Sequence, residues 1–290
     1  MNRLSEKHQT RLEESLARLN ELFSRAKPED DGVQLRKSRG QERREELLKS
    51  TGGQTKLCVI CMTPRSGSTF FSEALKKTKS LGNPGEWFNP HDGKNIEQMV
   101  DRYGAQSREE VLDGIYNFSA TDNGVAVVKG DFFQCLPFMY DGLINRHFDY
   151  VRWVYLTRED TLAQAVSRYI GTVTGSWSSA QKAEQSEVPY DPELIEKQVD
   201  FLIDMESGWK RFFATRHIRP LPMSYEQLTK SLPKKIEQIC KFMSIEPVHK
   251  ITDADLSLKK QGTDRNIEMV QRFAAEYKKT FNQELEATSV

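Results

Sequence analysis

Hydrophobic residues change their spacing near residue 55, and this change divides the chain into two parts. Before it, apolar side chains recur at helical spacing in a strongly charged background, at Leu4, Leu12, Leu16, Leu19 and Phe23. Proline and acidic residues at 28–32 break the pattern, and a second charged stretch, QERREELLKS, follows. We therefore predict a charged helical extension over 1–53, made of one amphipathic helix, a break and a shorter helix. The apolar stripe must pack on the main domain, predicted over 54–290, or on a second subunit, unless the extension is a solvated, mobile tail.

After residue 55, short apolar runs alternate with amphipathic stretches. The apolar runs predict strands at 56–62, 125–129, 149–158 and 218–223. Helical periodicity predicts helices at 69–78, 160–170, 193–215 and 232–245. This alternation is typical of an α/β fold with a mainly parallel sheet covered by helices on both faces. The segments 82–118 and 171–192 are rich in Gly, Ser, Asn and Pro, and we expect them to be long loops that form lids or the walls of a binding pocket.

Charge balance and apolar content argue against several kinds of partner. Lys and Arg together number 42, as do Asp and Glu, and no basic run is long enough to indicate a nucleic-acid surface. No apolar stretch approaches the roughly 20 residues of a membrane helix, and the N-terminus lacks the apolar core of a signal peptide. We therefore expect a cytoplasmic protein with no nucleic-acid partner and no membrane span.

Two of the four cysteines, Cys58 and Cys61, form a C-x-x-C pair that raises the question of a redox or zinc site. Both lie in the predicted strand at 56–62, where residues three apart point to opposite faces of a sheet. No second Cys/His pair at metal spacing accompanies them in the sequence. We interpret them as core residues and expect no metal site.

The segment TPRSGST at 63–69 joins a predicted strand to a predicted helix. A glycine-containing loop that opens a helix presents backbone N–H groups, and the helix dipole adds partial positive charge, so such a loop can hold phosphate or sulfate. Arg65 adds a fixed charge, and three side chains add hydroxyl donors, namely Ser66, Ser68 and Thr69. The loop lacks the Gly-Lys-Ser/Thr of nucleoside triphosphatases, so it has no lysine for a γ-phosphate. We predict a metal-independent anion site; the alternative is a loop that only turns the chain and caps the helix.

Three blocks in the order PRSGST, GNPGEWF and LTREDTLAQAVSRY resemble the trehalose sulfotransferase-like family of enzymes that use 3′-phosphoadenosine 5′-phosphosulfate (PAPS). The resemblance covers roughly residues 56 to 275 and leaves the extension outside. It implies a P-loop-NTPase-like three-layer fold, with the sheet between helices and the helical extension added. It also implies a sulfotransferase that moves a sulfuryl group from PAPS to a hydroxyl of a small, carbohydrate-like acceptor. The resemblance further implies a homodimer.

The resemblance also implies roles for individual residues. The loop residues Arg65, Ser66, Gly67, Ser68 and Thr69 would hold the 5′-phosphosulfate, and Arg65 would also act in catalysis by stabilising the charge that builds on the bridging oxygen of the leaving nucleotide. Arg158 and Ser167 would hold the 3′-phosphate. Gln261, Thr263 and Arg265, in a late loop, would close over the nucleotide.

Glu86, which follows Asn-Pro-Gly and precedes Trp87 and Phe88, would be the general base. A carboxylate beside these aromatic rings would be partly desolvated, and the rings themselves would either stack on a sugar or belong to the core. His91 is a second, weaker candidate for the base. Lys129, at the end of a predicted buried strand, would either balance charge at the sulfuryl group, contact the acceptor, or extend to the surface.

Two other function classes remain open at this stage. The strand–loop–helix arrangement also occurs in small-molecule kinases, which would require ATP and Mg²⁺. A non-catalytic nucleotide-binding module would bind the nucleotide but would be insensitive to the loss of Glu86.

Overall fold

The computed structural model describes residues 4–90, 95–177, 187–252 and 264–288. The strands are β1 (Lys56–Met62), β2 (Val125–Gly130), β3 (Tyr150–Thr157) and β4 (Leu221–Ser224). The helices, in chain order, are α1 (Glu6–Ser24), α2 (Asp31–Ser50), α3 (Ser68–Lys77), α4 (Ile96–Tyr103), α5 (Arg108–Ser119), α6 (Phe132–Met139), α7 (Leu143–His147), α8 (Thr161–Thr174), α9 (Pro192–Thr215), α10 (Tyr225–Phe242) and α11 (Asp264–Thr288).

The sheet has the strand order β2-β1-β3-β4, and every pair of neighbours is parallel. Separate apolar cores cover its two faces, and β1 contributes Cys61 to one and Cys58 to the other. The predicted α/β fold with a parallel sheet between helices is therefore confirmed. Because the strands are parallel, their carboxyl ends meet at one edge of the sheet, where ligands bind in such folds.

The apolar stripe of the N-terminal extension packs on the rest of the same chain. Leu12, Leu19 and Leu22 of α1 and Leu47 of α2 are buried in the core that also contains Phe88. The second helix is 20 residues long against 19 for α1, so the prediction of a shorter second helix is wrong. It begins earlier than predicted because Asp30, inside the predicted break, caps it by accepting a hydrogen bond from the Val33 amide.

The prediction of a long loop over 82–118 is also wrong, since α4 and α5 occupy much of it. The turn residues that suggested a loop are the helix caps: Gly104 ends α4 in the left-handed conformation, and Ser107 caps α5 by accepting from the Glu110 amide. Likewise, Arg265 lies in helix α11 and not in a loop.

No helix in the described part of the chain combines the length and the apolar character needed to cross a bilayer.

Candidate functional site

The loop between β1 and α3 has the backbone of an anion-binding loop. Arg65 and Gly67 both have positive φ, at 68° and 81°, which turns the chain sharply between Thr63 and the first residue of α3. Gly67 is the N-cap of α3, and among the described residues no side chain caps this helix end. The first N–H groups of α3 therefore remain available to a ligand at the positive end of the helix dipole.

Two residues from later parts of the chain hold this loop. Gln164 of α8 is fully buried, and its amide nitrogen donates to Thr63 Oγ1 at 2.8 Å and to the Pro64 carbonyl at 2.7 Å. Tyr225, at the start of α10, packs against Gly67 so closely that a Cβ on Gly67 would lie 2.6 Å from the tyrosine ring. The loop is thus fixed from both sides before any ligand binds.

Arg65, Arg158 and Ser167 are brought together beside the loop. Arg65 Nε donates to Ser167 Oγ at 2.9 Å, and Arg65 also donates to the Trp177 carbonyl at 2.6 Å. Arg158 follows β3, and its guanidinium lies 3.4 Å from the Arg65 carbonyl and over the Tyr225 ring at 4.9 Å. Burial, and after it the neighbouring Arg158, lowers the pKa of Arg65. Two cations this close repel each other, and an anion between them would relieve the repulsion.

Two polar atoms in this cluster have capacity for a ligand. Ser66 Oγ and Arg158 Nε are buried, and neither has a hydrogen-bond partner within the ranges that the structure covers. Buried polar atoms of this kind cost free energy unless they are paired. The uncapped helix, the two arginines and these two atoms together fit a group with one or more phosphates or sulfates.

Lys129 connects the loop to Glu86. This lysine is the penultimate residue of β2 and is 6% exposed. Its ammonium donates to Thr69 Oγ1 at 3.1 Å and pairs with Glu86 Oε1 at 3.4 Å. Gly85 forms a parallel bridge to Val128, and its carbonyl accepts from the Lys129 amide at 2.9 Å. Backbone pairing therefore places Glu86 beside the end of β2. Because Lys129 is buried, the alternative in which its side chain extends to the surface is wrong.

The polar surroundings of Glu86 continue into α6. Gln134 Nε2 donates to Glu86 Oε2 at 3.2 Å, and Gln134 forms a capping box with Asp131. Burial raises the pKa of Asp131 to about 6, and the charge of Glu86 adds to this effect. The Glu86 carboxylate is about one-third exposed and has polar partners, instead of the aromatic environment that the sequence suggested.

The aromatic residues after Glu86 belong to the packing of the protein. Phe88 is 1% exposed and stacks on Phe138 at a centroid distance of 4.6 Å, so its interpretation as a sugar platform is wrong. Trp87 is partly buried, donates to the Asn83 carbonyl at 3.0 Å and packs edge-on against Phe118.

Of the remaining predicted residues, three lie outside the described chain and Arg265 makes its hydrogen bond to another segment. His91, Gln261 and Thr263 lie outside the described residues. Arg265 donates to the Val188 carbonyl from α11. In the described ranges there is no group of three or more His, Cys, Asp or Glu side chains arranged to hold a metal ion.

Sequence reasoning missed the supporting residues Gln134, Gln164 and Tyr225. For Gln134 a signal was present, because Asp131 and Gln134 have the spacing of a capping box. For Gln164 and Tyr225 the sequence carries no such signal, since their role depends on contacts with residues about 100 or more positions away.

Several known proteins are similar to this chain. A family model described as Stf0 sulphotransferase matches residues 58–127 and 138–276. A trehalose 2-sulfotransferase of Mycobacterium tuberculosis (strain ATCC 35801 / TMC 107 / Erdman) is 24% identical over 254 residues, covering 75% of this chain and 94% of that protein. Another trehalose 2-sulfotransferase, from Mycolicibacterium smegmatis (strain ATCC 700084 / mc(2)155), is 21% identical over 253 residues, 74% of this chain and 93% of that protein. A crystal structure of a sulfotransferase from Alicyclobacillus acidocaldarius covers 76% of this chain and 91% of its own, with a TM-score of 0.42 and 13% identity.

Proposed function

Because the chain belongs to the Stf0 sulphotransferase family, we propose that it transfers a sulfuryl group from PAPS to a hydroxyl group of a small, carbohydrate-like acceptor. The observation that carries the proposal is the position of Lys129, whose ammonium contacts both Thr69 of the loop helix and the Glu86 carboxylate. An anion-binding loop and a candidate base are thereby joined through one cation. The names of the two mycobacterial relatives support a sugar as the acceptor class.

On this proposal, the two ends of the donor are held by different elements. The N–H groups of α3, with Ser66 and Arg65, bind the 5′-phosphosulfate, while Arg158 and Ser167 bind the 3′-phosphate. The unpartnered atoms Ser66 Oγ and Arg158 Nε, both within the described chain, support this assignment because each would gain a hydrogen bond. Catalysis then consists mainly of positioning and electrostatic stabilisation, as in phosphoryl transfer.

The proposed reaction is an in-line displacement at sulfur. The acceptor oxygen forms the new S–O bond, the bond from sulfur to the bridging phosphate oxygen breaks, and adenosine 3′,5′-bisphosphate leaves. Glu86 accepts the proton of the acceptor hydroxyl. The ammonium of Lys129 and the N–H groups of α3 stabilise the negative charge that develops on the sulfuryl and bridging oxygens.

Calorimetric binding of adenosine 3′,5′-bisphosphate without metal tests the donor site, with ATP and Mg²⁺ as the competing ligand. We expect the bisphosphate to bind in the micromolar range and ATP far more weakly. Arg158→Ala should weaken bisphosphate binding by about 1.5–3 kcal/mol, or about 10- to 150-fold. Arg152→Ala is the matched control, since Arg152 lies over a tyrosine ring in β3 but near the opposite end of the strand. Preferential binding of ATP with Mg²⁺ would favour a kinase instead.

Release of the bisphosphate from PAPS in the presence of trehalose, glucose and related sugars tests the catalytic step. Glu86→Gln should lower the rate by about 10²–10⁴-fold, the usual contribution of a general base, and leave bisphosphate binding intact. Binding without transfer to any sugar, unchanged by Glu86→Gln, would indicate a non-catalytic nucleotide-binding module. The homodimer implied by the family resemblance stays a prediction, to be tested by sedimentation.

A further inference from the structure

We propose that Gln134 is a positioning residue that fixes the orientation of the Glu86 carboxylate, an inference that rests on the proposed function of Glu86 as the base. Gln134 Nε2 donates to Glu86 Oε2 at 3.2 Å, while Lys129 Nζ lies 3.4 Å from Glu86 Oε1. Each carboxylate oxygen therefore has a partner of its own: a hydrogen-bond donor at Oε2 and a paired ammonium at Oε1. A carboxylate held at both oxygens cannot rotate freely, and each oxygen retains a lone pair for the hydroxyl of an acceptor.

The orientation of the Gln134 amide is itself determined by the backbone. The Asp131 amide donates to Gln134 Oε1 at 3.2 Å, and the Gln134 amide donates to Asp131 Oδ1 at 2.9 Å. A backbone N–H can only donate, so the amide oxygen of Gln134 must face it. The amide nitrogen consequently faces Glu86 and can only act as a donor there.

Gln134 also stands between two acidic groups. Asp131 is close enough to Glu86 that the glutamate charge contributes, after burial, to the raised pKa of Asp131. The neutral side-chain amide of Gln134 donates to the Glu86 carboxylate and accepts from the Asp131 backbone N–H, so it links the two residues without adding charge. The contacts of Gln134 thus hold the Glu86 carboxylate in one orientation without placing a further charge beside it.

The competing interpretation is that Gln134 only caps α6, and Gln134→Glu separates the two roles. Glutamate is a standard partner at the third position of a capping box, so the variant preserves the cap and the side-chain length. It replaces the amide donor by a carboxylate beside Glu86. The matched control is Glu110→Gln, an exchange between the same residue types at the third position of α5, where Glu110 accepts from the Gln106 amide.

Two measurements apply to both variants: the ¹³C titration of the Glu86 carboxyl and the steady-state rate. The Glu86 resonance is assigned as the one missing from Glu86→Gln. We expect Gln134→Glu to move the Glu86 titration midpoint up by about one pH unit, because it places a second negative charge nearby. At pH 7, kcat should fall by about tenfold or more, with bisphosphate affinity within about twofold of wild type. Glu110→Gln should leave both the titration and the rate unchanged.

The outcomes distinguish this inference from the proposed function. If Gln134→Glu has the titration midpoint and kcat of the wild type while Glu86→Gln is inactive, the inference is overturned and the proposed function stands. If the wild type neither binds the bisphosphate nor releases it from PAPS, the proposed function fails. The titration still decides in that case whether Gln134 controls Glu86, because it needs no acceptor.

Discussion

Replacing Gly67 by alanine tests whether the β1–α3 loop and Arg158 form one binding site. Gly67 has φ +81°, a left-handed conformation that costs an L-residue about 1–2 kcal/mol. In addition, the new Cβ would lie 2.6 Å from Tyr225 Cδ2, about 1 Å closer than an ordinary carbon–carbon contact. Overpacking of this kind costs about 1–3 kcal/mol. The two effects together should lower the free energy of unfolding by about 2–5 kcal/mol.

The effect on ligand binding follows from the position of Tyr225. The Arg158 guanidinium lies over this ring at 4.9 Å, so a ring displaced by the new methyl group displaces the arginine as well. We expect bisphosphate affinity to fall by about tenfold or more, as measured by calorimetry. The loop N–H groups would shift at the same time, which adds to the loss.

Gly53 provides the matched control. Its φ is +84°, and no atom of the described residues, other than its chain neighbours, lies within 4 Å of the position of a new Cβ. Gly53→Ala therefore introduces the backbone strain without the contact, and should lower the free energy of unfolding by about 1–2 kcal/mol with no change in binding. Urea unfolding measures the stabilities. Equal losses of stability in the two variants, or wild-type binding by Gly67→Ala, would refute the reasoning.

Three further predictions concern side chains around the same edge of the sheet. Lys129→Met should lower kcat by about 10²–10³-fold in the PAPS assay, and a variant with wild-type activity would contradict the role of Lys129. The free energy of unfolding, measured in urea, should change by at most about 2 kcal/mol, because its partner Glu86 is one-third exposed. Burial raises the pKa of Asp131 to about 6, so its ionised form destabilises the fold above that pH, and this penalty disappears as the pH falls toward about 4. Asp131→Asn should therefore raise the free energy of unfolding at pH 7 by up to about 3 kcal/mol and flatten its pH dependence, which denaturant titrations at several pH values would show or disprove. Gln164→Leu removes both hydrogen bonds to the loop and should weaken bisphosphate binding by about tenfold. A calorimetric affinity equal to that of the wild type would show that Gln164 does not hold the loop in its binding conformation.

The strands and the loop that joins β1 to α3 could be predicted because their signals are local. β2 is buried along its whole length, and such a strand reads as a continuous apolar run. The loop residues 63–69 are adjacent in sequence, so their chemistry is visible without the fold. The helices α4 and α5 were hidden because Gly104 and Ser107, which cap them, are also typical of loops.

The surroundings of Glu86 could not be predicted because they depend on strand register and long-range packing. Gln134 is 48 residues from Glu86 in the chain, and the bridge between Gly85 and Val128 helps to bring the two segments together. The flanking aromatic residues suggested an apolar environment, but Phe88 points into the core and leaves the carboxylate with polar neighbours. The sequence alone indicates Glu86 as a candidate base, whereas the register of the sheet determines which side chains contact it.

The strand order determines how the proposed roles are arranged in space. Moving across the sheet in the order β2-β1-β3-β4, the strand ends present Lys129 with Glu86, then the loop after β1, then Arg158, and then Tyr225 at the start of α10. On the proposed function, the base and the acceptor lie toward β2, and the nucleotide extends toward β3 and β4. Substitutions near the end of β2 should therefore change the rate of transfer, and those near the ends of β3 and β4 should change donor affinity. The loop after β1 lies between the two groups, so its disruption should affect both.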